Sequence, residues 1–224
     1  MQTAGTRLVP SGKVRPVAVV SAVCALVVVT LGLMFHQQRV GTPFDQAVYG
    51  EVYKRFVGER ELLETMLMPT DPILLVVVVA LFVMLMIARR RPRVAILAVV
   101  APLLAVGVSG VLKPMIDRTI NNANNLAFPS GHTTSMVAVL TVFVLTVVTS
   151  GTHKSLMALT IVGAFGVAVV AATGLIGMKY HYVTDVIGGA CLAVATVLAT
   201  ALAIDWGATK RQRSRKTVVS GVAL

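Results

Sequence analysis

The sequence has few charged side chains, since aspartate, glutamate, lysine and arginine together make up 13% of its 224 residues. Aromatic residues are also scarce at 5%, whereas hydrophobic residues reach 56% and the mean hydropathy is +0.85. A chain of this composition has too few polar side chains to cover a water-soluble globule. The composition therefore excludes an ordinary soluble protein and places the chain in a lipid bilayer.

Cysteine is nearly absent as well. The only two cysteines, Cys24 and Cys191, lie inside apolar runs and lack the spacing of metal ligands. We expect both to serve in helix packing. They exclude a disulfide framework as the source of stability and indicate nothing about the redox compartment.

Six apolar runs can cross a hydrocarbon layer about 30 Å thick as helices. They predict an all-α polytopic membrane protein with a bundle of six transmembrane helices. The predicted helices cover residues 17–35, 73–88, 94–112, 132–149, 155–177 and 182–206. The resulting membrane domain spans residues 17–206, between a polar segment at 1–16 and a basic tail at 207–224. A cleaved signal peptide is the alternative for the first run, but bulky residues from Leu33 to His36 favour an uncleaved helix.

The net charge of +11 follows the predicted membrane topology. In a soluble protein it would suggest nucleic acid, and here no nucleic-acid partner is expected. Most of the 20 lysines and arginines lie on one side of the bundle: before the first helix, between residues 89 and 93, at Lys154 and in the tail. Because basic loops stay in the cytoplasm, we expect cytoplasmic termini in a bacterial plasma membrane.

Residues 36–71 form the longest polar stretch and carry most of the nine acidic residues. Apolar residues such as Phe44, Val48, Val52 and Phe56 recur there at roughly helical spacing. This pattern predicts an amphipathic segment on the extracytoplasmic membrane surface. A plain interfacial helix is the favoured interpretation, and a lid over a lipid substrate is the alternative.

A polar break at Pro129, Ser130 and Gly131 precedes the fourth apolar run, which begins at His132. The first turn of a helix presents unpaired backbone N–H groups and the positive end of the helix dipole. With the Ser130 hydroxyl beside them and Gly131 allowing close approach, these groups outline a phosphate cradle. His132 can exchange a proton near neutral pH. The alternative is a capped helix with a surface histidine.

A second polar stretch contains His181 and Asp185, four residues apart. On a helix the two side chains would share one face, so that the carboxylate could hold one ring nitrogen and aim the other outward. A histidine held in this way can act as a base or as a covalent nucleophile. An aspartate near the end of a membrane helix is costly without such a role. A solvated interfacial pair is the alternative.

The extracytoplasmic ends of the third to sixth helices are expected to converge on one site. The candidate residues at these ends are Lys113, Arg118, Ser130, Gly131, His132, Lys179, His181 and Asp185. Two histidines, one aspartate and fixed cations at a helix N-terminus suit a phosphate group. A single aspartate without a second carboxylate makes a poor two-metal site, so we expect neither a metal ion nor another cofactor.

At these residues the chain resembles the type 2 phosphatidic acid phosphatase (PAP2) superfamily of membrane lipid phosphatases, over residues 72–206. The family has a six-helix membrane fold with three motifs, KxxxxxxRP, PSGH and SRxxxxxHxxxD. Residues 129–132 match the second motif in full, and His181 and Asp185 match the end of the third. The resemblance implies that His181 attacks phosphorus, that Asp185 orients it and that His132 protonates the leaving alcohol, without a metal.

The resemblance also implies a phosphate site made of Lys113, Ser130 and the Gly131 amide. Two arginines of the family pattern are replaced, one by Ile120 and the other by Leu175. Arg118 and Lys179 are the candidates to substitute for them in part. A lysine lacks the two-pronged guanidinium, so a weaker or differently shaped phosphate site is expected.

The sequence thus favours an extracytoplasmic lipid phosphatase acting on a phosphomonoester or diphosphate of a polyprenyl or phospholipid substrate in the membrane. The run from His181 to Val186 also resembles the lipid phosphotransferase branch of the superfamily, which gives one alternative. The two missing arginines motivate another, a non-catalytic membrane protein that binds or transports phospholipids.

Overall fold

A computed structural model describes the backbone of residues 7–121 and 125–221 and the side chains of these ranges up to Arg211. The described residues form eight α-helices. They are α1 (Val14–Met34), α2 (Pro43–Phe56), α3 (Arg60–Leu67), α4 (Pro72–Ala88), α5 (Pro92–Ile116), α6 (Gly131–Thr149), α7 (Lys154–Gly177) and α8 (Val183–Gly221). Short 3-10 turns occupy Ser11–Lys13 and Met68–Thr70. Parts of the predicted N-terminal segment and basic tail, namely residues 1–6, 222–224 and the side chains beyond residue 211, lie outside the described residues.

Six helical segments of the described chain are long and apolar enough to cross a membrane. They are Ser11–Met34, Arg60–Ala88, Pro92–Ile116, Gly131–Thr149, Lys154–Gly177 and Val183–Arg211. The prediction of an all-α polytopic bundle with six membrane spans is confirmed. Helix starts follow the sequence signals: Pro72 begins α4 after Asp71, whose carboxylate accepts from the Leu74 amide at 2.8 Å.

Small residues fill the centre of the bundle, where α5, α6 and α8 pack against one another. Ala101 and Ala105 of α5, Ala138 of α6 and Ala193 and Ala201 of α8 are fully buried. Small side chains allow helix backbones to approach closely in a membrane, where packing rather than water exclusion drives association. This packing brings the C-terminal end of α5 next to the N-terminal ends of α6 and α8.

Helix α8 differs from its prediction, because it continues to Gly221 and does not end near Trp206. Asp205, taken from the sequence as an end signal, is buried within the helix. Its carboxylate accepts hydrogen bonds from the Leu8 and Val9 amides at 3.0 and 2.9 Å, and Arg93 lies 3.6 Å away. These partners satisfy the charge, so Asp205 ties the N-terminal segment to α8 without interrupting the helix.

The long loop over residues 36–71 contains two helices that pack on the bundle. The apolar side of α2, formed by Val48, Tyr49 and Val52, packs against a cluster that includes Leu175 of α7 and Val186 of α8. The sequence predicts one amphipathic segment here, whereas the structure has two helices. Helix α2 rests on the ends of α7 and α8, which places it beside the predicted site. The location of this loop on the membrane surface stays a prediction.

Candidate active site

The two sequence stretches that carry the predicted site meet where α6 and α8 begin. The amide of Ser130 donates to the carbonyl oxygen of Asp185 at 3.1 Å. Two glycines of α8 allow this approach: a Cβ atom on Gly189 would lie 2.6 Å from the Ser130 oxygen, and one on Gly188 would lie 2.4 Å from the Phe128 ring. Any larger residue at these two positions would push the helix ends apart.

His132 and His181 face each other across this junction. Their ring centroids are 5.9 Å apart and the ring planes are inclined by 64°. His132 is an exposed residue in the first turn of α6, whereas the His181 side chain is only 6% exposed. The structure therefore brings together one solvent-accessible and one buried imidazole, which suits them to different steps of a reaction.

His181 lies in the turn before α8, so the predicted helical spacing to Asp185 is wrong in detail. Helix α8 begins at Val183, and Asp185 uses one carboxylate oxygen to accept from the Tyr182 amide at 2.9 Å. Asp185 is the third residue of α8, and a side chain that accepts from the N-cap amide at this position leaves Tyr182 as the N-cap and His181 outside the helix. The two side chains still lie close together, because the capping turn folds His181 back over Asp185.

The His181 ring nitrogen Nδ1 lies 3.9 Å from Oδ2 of Asp185. This distance is too long for a hydrogen bond, and Nδ1 has no other partner among the described residues. Catalytic contacts of this kind commonly tighten when substrate binds. Asp185 thus lies beside His181 without a hydrogen bond to it, and its orienting role stays a prediction.

Burial keeps the His181 ring neutral. Burial, which is the largest cause, acts together with the charges of Lys113 and His132 and against a hydrogen bond with the Ala127 backbone, and the pKa of His181 is lowered to about 3. Asp185 would favour the protonated ring, but at 3.9 Å it does not offset the loss of hydration. A neutral imidazole has a free lone pair and can attack an electrophile at neutral pH.

Arg118 contacts protein carboxylates, which the sequence did not predict. The side chain is fully buried, and its Nη1 donates to Asp185 Oδ1 at 2.6 Å and to Thr184 Oγ1 at 2.7 Å. Its Nη2 donates to Asp45 Oδ2 at 2.7 Å. The guanidinium carbon also lies 4.0 Å from the centre of the Phe35 ring. Both terminal nitrogens of Arg118, which we expected to bind phosphate, thus donate hydrogen bonds to side chains of the protein itself.

Sequence reasoning missed Asp45, a residue of the long acidic loop. Its carboxylate is 1% exposed. The Thr42–Asp45 capping box of α2 could be read from the sequence. The contacts with Arg118 and Thr184 could not, since these residues lie 73 and 139 positions away.

Lys113 and Lys179 occupy different surroundings. Lys113 is a residue of α5 whose side chain extends to the start of α6. Its Cε lies 3.9 Å from the position that a Cβ atom on Gly131 would occupy, and its ammonium donates to the Leu126 carbonyl at 2.7 Å. Lys179 is exposed, and its ammonium lies 5.3 Å from the centre of the Tyr49 ring on α2. Lys113 therefore belongs to the junction of the two motifs, and Lys179 rests on α2.

The two residues that replace family arginines are fully buried among apolar side chains. Ile120 packs with Ala127 and Tyr182, whereas Leu175 belongs to the cluster under α2. Leu175 also borders a cavity of about 410 Å³ that reaches His132 and is otherwise lined mainly by α3 and the start of α4. The walls near His132 thus offer apolar surface where the family pattern has a cation.

No group of three or more His, Cys, Asp or Glu side chains that could hold a metal ion occurs in residues 7–121 and 125–211. The expectation of a metal-free site stays a prediction.

Comparison with known proteins gives one match. The family model of the PAP2 superfamily matches residues 112–207, from the end of α5 to within α8. This segment contains every site residue predicted from the sequence, and Asp45 lies outside it. No curated protein and no solved structure matches the chain. Over residues 112–207, which is less than half of its length, the chain is therefore similar to the PAP2 superfamily.

Proposed function

We propose that the protein is a lipid phosphatase that works through a phosphohistidine on His181, with its site on the extracytoplasmic side. The substrate would be a phosphomonoester or diphosphate of a polyprenyl or phospholipid. The superfamily match supports phosphoester hydrolysis. The observation that carries the proposal is the buried, neutral imidazole of His181 facing His132 at the start of α6.

The proposed reaction has two steps. The lone pair of His181 attacks phosphorus, the bond from phosphorus to the lipid oxygen breaks, and His132 gives its proton to that oxygen. A water molecule then loses a proton to His132 and attacks the phosphohistidine, which releases phosphate and restores His181. A histidine in such a role contributes about 10²- to 10⁴-fold to the rate. Asp185 orients His181 in both steps.

The phosphate oxygens would lie at the N-terminus of α6. The first turn of an α-helix has backbone N–H groups without intrahelical partners, and Ser130 satisfies one of them by accepting from the Thr133 amide at 3.3 Å. The helix dipole favours an anion there. Lys113 adds a positive charge beside Gly131. With Arg118 committed to two carboxylates, we assign the phosphate contacts mainly to Lys113 and the helix N-terminus.

Two features support a lipid substrate in the membrane. His132 and Lys113 lie at the ends of membrane spans, so the site sits at the level of lipid headgroups. The cavity beside His132 is lined in part by Leu67, Met68 and Leu74, which can receive the apolar part of a leaving alcohol. The basic loops on the opposite side support the assignment of the site to the extracytoplasmic face.

The test is phosphate release by the purified protein in mixed micelles from phosphatidic acid, a polyprenyl phosphate and a polyprenyl diphosphate. We expect turnover of at least one substrate, which survives thorough chelation, and its loss in His181→Ala. His153, an exposed residue before α7, supplies the control, since His153→Asn should turn over normally. A folded protein that releases phosphate from none of the three would overturn the proposal.

A lipid phosphotransferase is the second candidate. The observation that favours it is the reduced set of cations, since Ile120 and Leu175 are buried in apolar clusters and Arg118 pairs with carboxylates. In this reaction an alcohol replaces water in the second step. The breakdown rate of the phosphohistidine with and without lipid alcohols separates the two, because acceleration by an alcohol indicates transfer.

A further inference from the structure

Asp45 of α2 lies outside the family-matched segment but contacts the first turn of α8. Its Oδ1 accepts from the Thr184 amide at 3.1 Å and from the Thr184 hydroxyl at 2.8 Å. Its Oδ2 accepts from the Thr42 amide and hydroxyl, both at 2.9 Å, and from Arg118 at 2.7 Å. A buried carboxylate with five hydrogen bonds is fixed in one orientation.

The surroundings of Asp45 require a carboxylate. Each oxygen faces at least one group that can only donate: Oδ1 faces the Thr184 amide, and Oδ2 faces the Thr42 amide and the Arg118 guanidinium. An asparagine would turn its NH₂ group toward one of these donors in either orientation. Burial raises the pKa of Asp45, but the hydrogen bonds from Thr184 and Thr42 together lower it below its ordinary value, so the group is ionised.

Arg118 connects Asp45 to the site. One guanidinium holds Asp45 through Nη2 and Asp185 through Nη1, at 2.7 and 2.6 Å. Rings of Phe35 and Tyr182 lie against it, at 4.0 and 4.9 Å from the guanidinium carbon. Held by these two rings and two carboxylates, Arg118 can transmit the position of Asp45 to Asp185.

We propose that Asp45 is a positioning residue for phosphoryl transfer, which acts through Arg118 to hold the Asp185 carboxylate beside His181. Helix α2 is then a working part of the active site, contributed by the extracytoplasmic loop. This inference rests on the proposed function of the site. It assigns Arg118 to the carboxylates and leaves the phosphate to Lys113 and the start of α6.

A purely structural role for Asp45, in which it only holds α2 on the bundle, would give a similar structure but different kinetics. Loss of a purely structural residue would affect protein stability and access of the substrate, whereas loss of a positioning residue affects the step that His181 performs. The two roles therefore separate in kcat and KM, because a group that matters only in the transition state lowers kcat and leaves KM unchanged.

The kinetic test compares Asp45→Asn with Glu51→Gln, which removes an exposed carboxylate from the same helix. We expect Asp45→Asn to lower kcat by about 10- to 100-fold with KM and the inhibition constant of orthovanadate changed less than about twofold. Glu51→Gln should match wild type. The double variant Asp45→Asn with Arg118→Gln should be no slower than Arg118→Gln alone, as residues in one network are not additive.

A second measurement needs no turnover. Hydrogen exchange of the Tyr182 amide, which bonds to Asp185, should be faster in Asp45→Asn and unchanged in Glu51→Gln. The Thr184 amide bonds to Asp45 directly and would exchange faster under either role. If Asp45→Asn fails to fold, Thr184→Val replaces it, because this variant removes only the hydroxyl between Arg118 and Asp45. We expect it to lower kcat by about 3- to 30-fold.

The outcomes separate the two claims. A wild-type protein without turnover overturns the proposed function, and the exchange measurement then decides the positioning role by itself. A wild-type kcat in Asp45→Asn overturns the positioning role, as does unchanged exchange of the Tyr182 amide. An increased KM with wild-type kcat would also overturn the positioning role and would indicate a purely structural role for Asp45.

Discussion

His132 and His181 present their rings edge to face, with the ring centroids 5.9 Å apart. The two rings are in edge-to-face contact, and we propose that both act on one phosphoryl group, with His181 at phosphorus and His132 at the leaving oxygen. Reacting groups held in such an arrangement gain rate because little orientation is lost in the reaction. The predictions below test the role of each residue around this pair.

His132 should matter most for poor leaving groups. We expect His132→Ala to lower turnover of a lipid phosphate by about 10²- to 10⁴-fold, because the leaving alkoxide then lacks a proton donor. With an activated aryl phosphate, whose leaving group needs no proton, the loss in the first step should be much smaller. Pre-steady-state release of the aryl alcohol measures that step. An equal loss with both substrates would contradict the assignment of His132 as the acid.

Asp185 should be as sensitive as His132, even to an isosteric change. One oxygen accepts from Arg118 and the other from the Tyr182 amide, so Asp185→Asn must turn its NH₂ group toward a donor. We expect a loss in kcat comparable to that of His132→Ala, since His181 is no longer held in one orientation. The check is a kinetic assay of both variants side by side. A mild loss for Asp185→Asn would show that His181 works without it.

Arg118 should stabilise the fold as well as the site. Its removal leaves the buried carboxylates of Asp45 and Asp185 without a counter-charge, which costs about 3–5 kcal/mol. Arg118→Ala should therefore lower the free energy of unfolding by that order. The control is Arg39→Ala, since Arg39 forms an exposed ion pair with Asp117 at 2.7 Å and such pairs contribute close to zero. Equal stability of the two variants would contradict this account.

The affinity for phosphate separates the two roles considered for Arg118. If Arg118 were a phosphate ligand, its removal should lower kcat/KM by about 10- to 200-fold, which corresponds to the loss of one charge-assisted hydrogen bond. In the structure its terminal nitrogens contact carboxylates, so we expect the loss in kcat and unchanged inhibition by inorganic phosphate. Lys113→Ala should weaken that inhibition. Weaker inhibition in Arg118→Lys but not in Lys113→Ala would restore Arg118 as the phosphate ligand.

His181 should make the protein less stable at acidic pH. The pKa of His181 is about 3 in the folded protein and about 6.5 in an unfolded chain, so the unfolded chain binds the proton more readily. Its contribution is fully present above about pH 6.5 and is lost as the pH falls toward 3. Melting temperatures at pH 7.5 and 4.5 should differ more for wild type than for His181→Asn. The same difference in both proteins would show that the folded ring is not held neutral.

The sequence predicted the fold and much of the site because both depend on local signals. Apolar runs indicated the six membrane spans, and the break before His132 indicated a capped helix start. Convergence of helix ends followed from the topology, since alternate helix ends lie on one side of a membrane. The structure confirms the spans and brings Lys113, Ser130, His132, His181 and Asp185 to one junction.

The remaining features depend on contacts between distant residues. Asp45 satisfies a local capping box, so nothing in its own segment indicates a pairing with Arg118. From the sequence, Asp205 predicts a helix end. The amides of Leu8 and Val9 that bind its carboxylate lie nearly 200 residues earlier, so the neighbouring sequence does not indicate them. The prediction that His181 and Asp185 share one helix is wrong, because the Tyr182 amide donates to the Asp185 carboxylate and α8 begins after His181.

The central claim is that His181 carries the phosphoryl group. The most direct test mixes the purified protein with a turned-over lipid phosphate, quenches the reaction in alkali, where phosphohistidine survives, and maps the modified peptide by mass spectrometry. We predict phosphorylation at His181 in the wild type and none at this position in His181→Ala. Turnover without any phosphohistidine, or with phosphate on another residue, would contradict the account.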